Sequence, residues 1–88
     1  MELTPHVLER MRQRNITEPD LIAALTHPSE IIGTRANRIA LFSTVNNRYL
    51  LVVLEKVNNE DVINNEDVII TAMWSDSRRL KRIGFTKV

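Results

Sequence analysis

The chain has 88 residues, enough for a single domain over residues 1–88, and 43% are hydrophobic and 26% charged, as in an ordinary soluble domain. The longest apolar run, Leu50–Leu54, is far below the ~20 residues that a membrane-spanning helix needs. There is no cysteine and there are two glycines, which excludes disulfides, thiolate chemistry, a P-loop and a dinucleotide-binding loop. The N-terminus lacks the pattern of a signal peptide, so we expect a cytoplasmic protein.

A net charge of +1 hides an uneven distribution of charge along the chain. Residues 55–67 contain five acids and one base, whereas residues 76–88 contain five bases and one acid. Nine of the 12 basic residues are arginine, whose planar guanidinium binds phosphate with two parallel hydrogen bonds. The composition therefore favours an anionic partner such as a nucleic acid, although a solvated charged surface would have the same composition.

A first short helix is predicted after Thr4, because Thr4 followed by Pro5 is typical of an N-cap with proline at the first helical position. Asn15 favours the left-handed conformation that ends a helix. The run from His6 to Arg14 has the helical spacing of apolar residues, which places three of them on one face: Val7, Leu8 and Met11.

A second short helix is predicted from Thr17, with Pro19 in its first turn and Asp20 placed to complement the helix dipole. His27 ends this helix because the residue before a proline avoids the helical region. The two helices should form an αα-hairpin. The side chains predicted to be buried on the second helix are Leu21, Ile22, Ala24 and Leu25.

Four strands are predicted after the helices, followed by a basic tail over Ser77–Arg82 that can form a short helix. The adjacent Asn46 and Asn47 indicate a two-residue hairpin turn, and the apolar run of the third strand indicates a central position in the sheet. Helices first and strands afterwards predict an α+β fold, with the αα-hairpin packed on one face of a four-stranded antiparallel sheet. The predicted strands are Ile31–Ile32, which stops at Gly33, then Arg38–Thr44, Arg48–Val57 and Val68–Trp74.

The hexapeptide NNEDVI at residues 58–63 is repeated without change at residues 64–69, which suggests a tandem duplication at a hairpin tip. Either Val62-Ile63 or Val68-Ile69 can pair with the third strand, and both registers keep the same side chains inward because the unit has an even number of residues. We favour Val68-Ile69, which continues directly into the fourth strand. Glu60-Asp61 and Glu66-Asp67 are expected to keep the tip solvated.

His6, Arg10 and Arg14 are spaced i, i+4 and i+8, so they form one row along the first helix. A histidine that transfers protons beside arginines that bind phosphate suits the cleavage of a phosphodiester. RNA supplies its own nucleophile, the 2′-hydroxyl, so this chemistry requires no metal and no cofactor. In the alternative interpretation, His6 has no role, and the two arginines pair with Glu9 or with solvent.

Other basic and aromatic residues are candidates for binding RNA. Arg38 and Arg48 begin the two strands that flank the predicted hairpin turn, so they should lie near opposite ends of that hairpin. Trp74 ends the fourth strand beside a basic segment, where an exposed indole can stack a base or can instead cap the core. The two histidines have no carboxylate at ligand spacing, so no metal site is predicted. The candidate nucleic-acid-binding residues are Arg38, Trp74, Arg78, Arg79 and Arg82.

Residues 6–18, HVLERMRQRNITE, resemble the opening of a family of short bacterial domains of unknown function (DUF4258-like), and the later parts of this pattern are similar to Leu21–Leu25, His27-Pro28 and Arg48–Val53. The resemblance covers roughly residues 6–74. This family is distantly similar to the RelE, ParE and BrnT toxins of bacterial toxin–antitoxin pairs, which implies a RelE-like fold of two helices on an antiparallel sheet. Several of those toxins are metal-independent ribonucleases, whereas ParE-like members do not cut RNA.

The resemblance also bears on individual residues and on function. His6, Arg10 and Arg14 match the opening motif of the family, and Arg48 matches a basic position at the start of the third strand. The leading hypothesis is a toxin that cleaves RNA without a metal, with His6 as general acid and base, Arg10, Arg14 and Arg48 on the phosphate, and an antitoxin protein as partner.

Two alternatives remain open. One is a non-enzymatic protein that binds a partner chain through a sheet edge or through its basic tail, and the other is a nucleic-acid-binding module without turnover. We expect no membrane partner, and an uncovered sheet edge would allow a homodimer.

Overall fold

The computed structural model describes residues 2–58 and 63–88. Its four strands form one antiparallel sheet in the order β1-β2-β3-β4, so the predicted α+β fold with an N-terminal helix pair is confirmed. Within the described residues, no helix is long and apolar enough to span a bilayer. The elements are α1 (Pro5–Gln13), α2 (Glu18–Thr26), β1 (Glu30–Gly33), β2 (Arg38–Val45), β3 (Arg48–Glu55), β4 (Val68–Ser75) and α3 (Ser77–Ile83).

The helix ends predicted from the sequence are present. Thr4 Oγ1 accepts a hydrogen bond from the Val7 N–H at 3.2 Å, which caps α1. The Asp20 N–H donates to Thr17 Oγ1 at 3.2 Å, and the Thr17 N–H donates to Asp20 Oδ2 at 3.0 Å, which completes a capping box on α2. Asn15 adopts a φ of 57° between the two helices. Side chains thus satisfy N–H groups that helix starts leave unpaired.

Different helices cover the two faces of the sheet. The αα-hairpin packs on one face, as predicted, and α3 covers the other through Leu80. Residues 50–54 of β3 alternate between the two cores, which confirms the central position of this strand. The buried residues on the αα-hairpin face are Val7, Met11, Ile16, Leu21, Ala24, Leu41, Val45, Leu50, Val52, Leu54, Ile69 and Ala72; those on the α3 face are Ala40, Phe42, Leu51, Leu80 and Phe85.

Several predictions of burial and length are wrong in detail. Leu8 is 40% exposed and Ile22 is 60% exposed, because each helix turns a narrow stripe of side chains toward the sheet. β3 ends at Glu55 rather than at Val57, since the chain turns away where Lys56 points into the protein. β2 and β4 each extend one residue beyond the predicted end.

Two features set the pairing of β3 with its neighbours. Asn46 and Asn47 have φ values of 54° and 62°, as a type I′ hairpin turn requires. Residues 68 and 69 of the second hexapeptide copy pair with residues 55 and 54 of β3, so the predicted register is confirmed. A bulge then places Ile70 between Ile69 and Thr71 without a partner of its own. The rival pairing through Val62-Ile63 includes a residue outside the described part of the chain.

Asp67 is fully buried at the base of the hairpin tip, so the prediction that Glu66-Asp67 is solvated is wrong for Asp67; Glu60-Asp61 lies outside the described residues. The Asp67 carboxylate accepts hydrogen bonds from Lys56 Nζ at 2.8 Å, from the Asn64 N–H at 3.0 Å and from the Val57 N–H at 3.3 Å. Burial alone would raise the pKa of Asp67, but these bonds, led by that from Lys56, outweigh burial and lower it.

Deletion of one hexapeptide copy is expected to leave the fold intact and to change the melting temperature by only a few degrees. The N–H groups of Val57 and Asn64 donate to the same carboxylate, so the two ends of the deleted segment already lie close together. Deletion of either copy gives the same chain, which retains one anchoring aspartate. Circular dichroism during heating measures the change. A melting temperature lowered by ~15 °C or more would show that the sheet needs both copies.

Candidate functional site

A cleft of about 260 Å³ lies between α1 and the outer edge of β4. The helix contributes His6, Arg10 and Arg14, the row predicted from helical spacing, together with Val7. The strand contributes the opposite wall, residues 70–72. We call this the α1 cleft. His6 and Arg10 are exposed and Arg14 is half-buried.

Arg14 fixes the end of α1 to the edge of β4. Its Nη1 donates to the Ala72 carbonyl oxygen at 2.9 Å and to Thr71 Oγ1 at 3.3 Å. Trp74 Nε1 donates back to the Arg14 carbonyl oxygen at 2.8 Å. These three bonds join the C-cap residue of α1 to three residues of β4, and they therefore define the position of the α1 row relative to this strand.

A second cleft of about 460 Å³ continues along the same edge and is lined by Arg14, Met73, Trp74 and Arg79. Arg79 comes from α3, and its Nη1 lies 3.3 Å from the sulfur of Met73. Arg14 lines both clefts, so the two form one continuous surface. We call its basic and aromatic residues the edge strip: His6, Arg10, Arg14, Trp74 and Arg79.

From the sequence, Trp74 was expected either to stack an RNA base or to cap the core, and its environment partly fits each of these roles. It is half-buried and packs against the core of the αα-hairpin face, so it caps that core. The guanidinium carbon of Arg48 lies 4.2 Å from the centre of its ring, a cation–π contact. The exposed indole expected for base stacking is therefore a half-buried indole with an arginine on its ring.

The edge strip carries three arginines. No carboxylate lines the α1 cleft or the second cleft, within the part of the chain that the structure describes. Glu9 pairs with Arg12 and accepts a hydrogen bond from Gln13 at 3.5 Å, so of the two partners that the alternative interpretation allowed for Arg10 and Arg14, Glu9 is taken and solvent remains. A group of arginines of this kind attracts anions.

Other candidate residues lie elsewhere. Arg38 lies opposite Glu55 in the β2–β3 ladder, at the end of the hairpin away from its turn, as its position predicted. Arg78 and Arg82 are exposed on α3. None of these three arginines lines a cleft described here. Among residues 2–58 and 63–88, no three histidine or carboxylate side chains form a group that could bind a metal.

The sequence reasoning missed a third cleft of about 570 Å³ where β4 ends. Thr44, Tyr49 and Ser75 line it and lie side by side on β2, β3 and β4, since Tyr49 pairs with both of the others. The hairpin turn alone predicts the first of these pairings. The second depends on the register of the duplicated segment. Arg48 also lines this cleft, which therefore adjoins the edge strip at Trp74.

The sequence profile of one family, described as "Domain of unknown function (DUF4258)", matches residues 3–74. This range includes α1, α2 and the sheet as far as Trp74, and hence four residues of the edge strip. Arg79 lies beyond the matched range. Neither a curated protein nor a solved structure matches the chain.

Proposed function

Since the chain belongs to the DUF4258 family, whose function is unknown, we propose an activity from its edge strip: an RNA-cleaving toxin of a bacterial toxin–antitoxin pair that acts without a metal. The main support is the α1 cleft, where His6, Arg10 and Arg14 share a space of about 260 Å³. The volume of this cleft and its two arginines suit a phosphodiester group, and His6 lines the same cleft.

The proposed reaction uses the 2′-hydroxyl of the RNA as nucleophile. His6 takes the proton of this hydroxyl, its oxygen bonds to phosphorus, and the bond from phosphorus to the 5′ oxygen breaks. The departing 5′ oxygen takes a proton from water, and His6 returns its proton to solvent. Arg10 and the Nη2 and Nε groups of Arg14 bind the oxygens on which negative charge builds up. The products are a 2′,3′-cyclic phosphate and a 5′-hydroxyl.

The rest of the edge strip extends the binding surface for a single strand. Arg79 supplies a further phosphate contact beside the second cleft. The guanidinium of Arg48, which is stacked on Trp74, offers a flat cationic surface of the kind on which RNA bases stack. In the bacterial cytoplasm, the proposed antitoxin would silence the protein by covering these residues with an acidic segment.

Mapping of the RNA ends tests this proposal. Purified protein is incubated with a labelled single-stranded RNA in the presence of EDTA, and we expect fragments with 2′,3′-cyclic phosphate and 5′-hydroxyl ends. Arg38→Ala serves as the control because Arg38 is exposed and lines none of the clefts, so its cleavage rate should match that of the wild type. Cleavage that requires added magnesium, or fragments with 3′-hydroxyl ends, would contradict the mechanism.

A second candidate function is RNA binding without cleavage. It is favoured by the lining of the α1 cleft. Among the described residues, this lining contains one histidine and no carboxylate, lysine or tyrosine that could act as a second acid or base. This candidate predicts binding that weakens steeply with salt, with no fragments at any incubation time. The same reactions, analysed for bound and for cleaved RNA, distinguish the two functions.

A further inference from the structure

The third cleft, at the end of β4, has no role in the proposed cleavage, yet most of the side chains that line it can form hydrogen bonds. Thr44, Tyr49 and Ser75 form its floor across three strands, and Asn47 and Ser77 lie at its sides. The lining therefore offers three hydroxyl groups of serine and threonine, one phenol and one amide, beside the charged side chains of Arg48 and Asp76. Hydroxyl and amide groups both donate and accept hydrogen bonds.

Ser75 provides a second, independent observation. Its Oγ is buried and has no hydrogen-bond partner within the described residues. A buried hydroxyl without a partner destabilises a folded protein, and such groups are rare in native structures. A rotation about the Cα–Cβ bond of Ser75 that exposes this hydroxyl to the cleft would let a bound ligand supply the partner that it lacks.

The order of the three clefts along β4 indicates what this ligand is. Residues 70–72 line the α1 cleft, residues 73 and 74 line the second, and residues 75–77 belong to the third. A single RNA strand that binds Arg14 through a phosphate and then contacts Arg48 therefore reaches the third cleft next. The part of RNA that offers several hydrogen-bonding groups on one flat edge is the nucleobase.

We propose that the third cleft binds one nucleobase of the RNA strand and thereby selects the sequence that is bound, an inference that rests on the proposed RNA-binding function. The amide of Asn47 and the hydroxyl of Ser75 bond to the edge of the base, and the phenol of Tyr49 forms part of the floor. Asp76 also lines the cleft, but its Oδ1 already accepts the Arg79 N–H at 2.8 Å as the cap of α3.

Ser75→Ala separates a ligand-binding role from a purely structural one. Removal of an unpartnered buried hydroxyl should raise the melting temperature by a few degrees. The same change should weaken binding of the preferred RNA about three- to tenfold, because one hydrogen bond to the base is lost. Ser29→Ala, which removes an exposed hydroxyl before β1, is the matched control and should change neither quantity. A higher melting temperature with unchanged RNA affinity would overturn the proposal.

Base preference provides the second measurement. Fluorescence anisotropy measures the affinity for four single-stranded hexaribonucleotides, each made of one base. The four affinities of the wild type should differ about tenfold or more, and those of the double variant Asn47→Gly with Ser75→Ala about twofold or less. Glycine at position 47 tolerates the φ of 62° found there. Equal affinities of the wild type for all four RNAs would remove the base site and leave RNA binding standing. No binding to any of them would remove both.

Discussion

His6→Ala is expected to slow RNA cleavage by about 10²–10⁴-fold, the usual contribution of a general base. His6 is exposed at the start of α1, and its side chain forms no hydrogen bond or ion pair with the described residues. Stability should therefore be unchanged. RNA affinity should also remain within about twofold, because Arg10 and Arg14 still bind the phosphate. Single-turnover rates on a labelled RNA, with protein in excess, measure the loss at the chemical step.

His27→Ala is the matched control for this prediction. His27 is the chain's other histidine, and it lies at the end of α2, away from the α1 cleft. Both substitutions remove an exposed imidazole, so a loss of activity confined to His6→Ala identifies a local effect. A wild-type rate in His6→Ala would exclude this residue from the reaction. A loss in both variants would point to a cause other than proton transfer in the α1 cleft.

Asp67→Asn is expected to lower the free energy of unfolding by about 3–5 kcal/mol, a large part of the 5–15 kcal/mol typical of a small protein. The substitution removes the buried negative charge to which the Lys56 ammonium, on a side chain that is 6% exposed, is bonded at 2.8 Å. It also replaces one of the two carboxylate oxygens by an NH2 group, so one of the N–H groups of Val57 and Asn64 faces a donor in place of its acceptor. Urea unfolding followed by circular dichroism measures the loss. Glu66→Gln removes a neighbouring but exposed carboxylate and should change stability by less than about 0.5 kcal/mol.

Acid provides a direct check on the same residue. The pKa of Asp67 is lower in the folded state than its usual value of 3.8, so its contribution to stability is complete above that value and is lost as the pH falls through the folded-state pKa. Below that range, protonated Asp67 resembles asparagine. The difference in stability between the wild type and Asp67→Asn should therefore narrow in acid. A difference that stays constant down to about pH 2 would exclude the charge of Asp67 as its cause.

A second carboxylate also titrates in acid, at the other edge of the sheet. Burial would raise the pKa of Glu30, but hydrogen bonds from the Lys87 and Thr86 N–H groups and from the Thr86 hydroxyl outweigh it and lower the pKa. These bonds tie the C-terminal residues to the start of β1. Because Glu30 is present in both proteins, its titration cancels in the comparison of the wild type with Asp67→Asn.

The features that the sequence predicted correctly are those that depend on neighbouring residues. The helix start at Thr17, the left-handed Asn15 and the turn at Asn46-Asn47 all follow from the conformations these side chains favour. Burial at the hairpin tip was different. Asp67 belongs to an acidic segment that its local composition predicts to be solvated. It is buried because it forms an ion pair with Lys56, eleven residues earlier in the chain, and local composition does not predict this contact.

The same division applies to the candidate site. The row of His6, Arg10 and Arg14 follows from helical spacing and could be predicted. That β4 forms the opposite wall of the α1 cleft could not, because it depends on the packing of α1 against a strand more than fifty residues later. The contact of Arg48 with Trp74 depends on the β3–β4 register, for which the duplicated hexapeptide allowed two solutions and the sequence favoured the correct one, but the approach of the two side chains was not predicted.

The duplication itself has a genetic consequence. Each hexapeptide unit encodes its own anchor, the aspartate, together with the Val-Ile pair that joins the sheet, and the second copy uses both. An error of DNA replication that adds or removes one unit therefore supplies a replacement for every residue it displaces. The length of the tip can therefore change in steps of six residues, while the residues of β4 that follow the duplicated segment, which line the proposed RNA site, keep their pairing with β3. Most insertions into a strand pair lack this self-repairing property, because they shift the register of everything that follows.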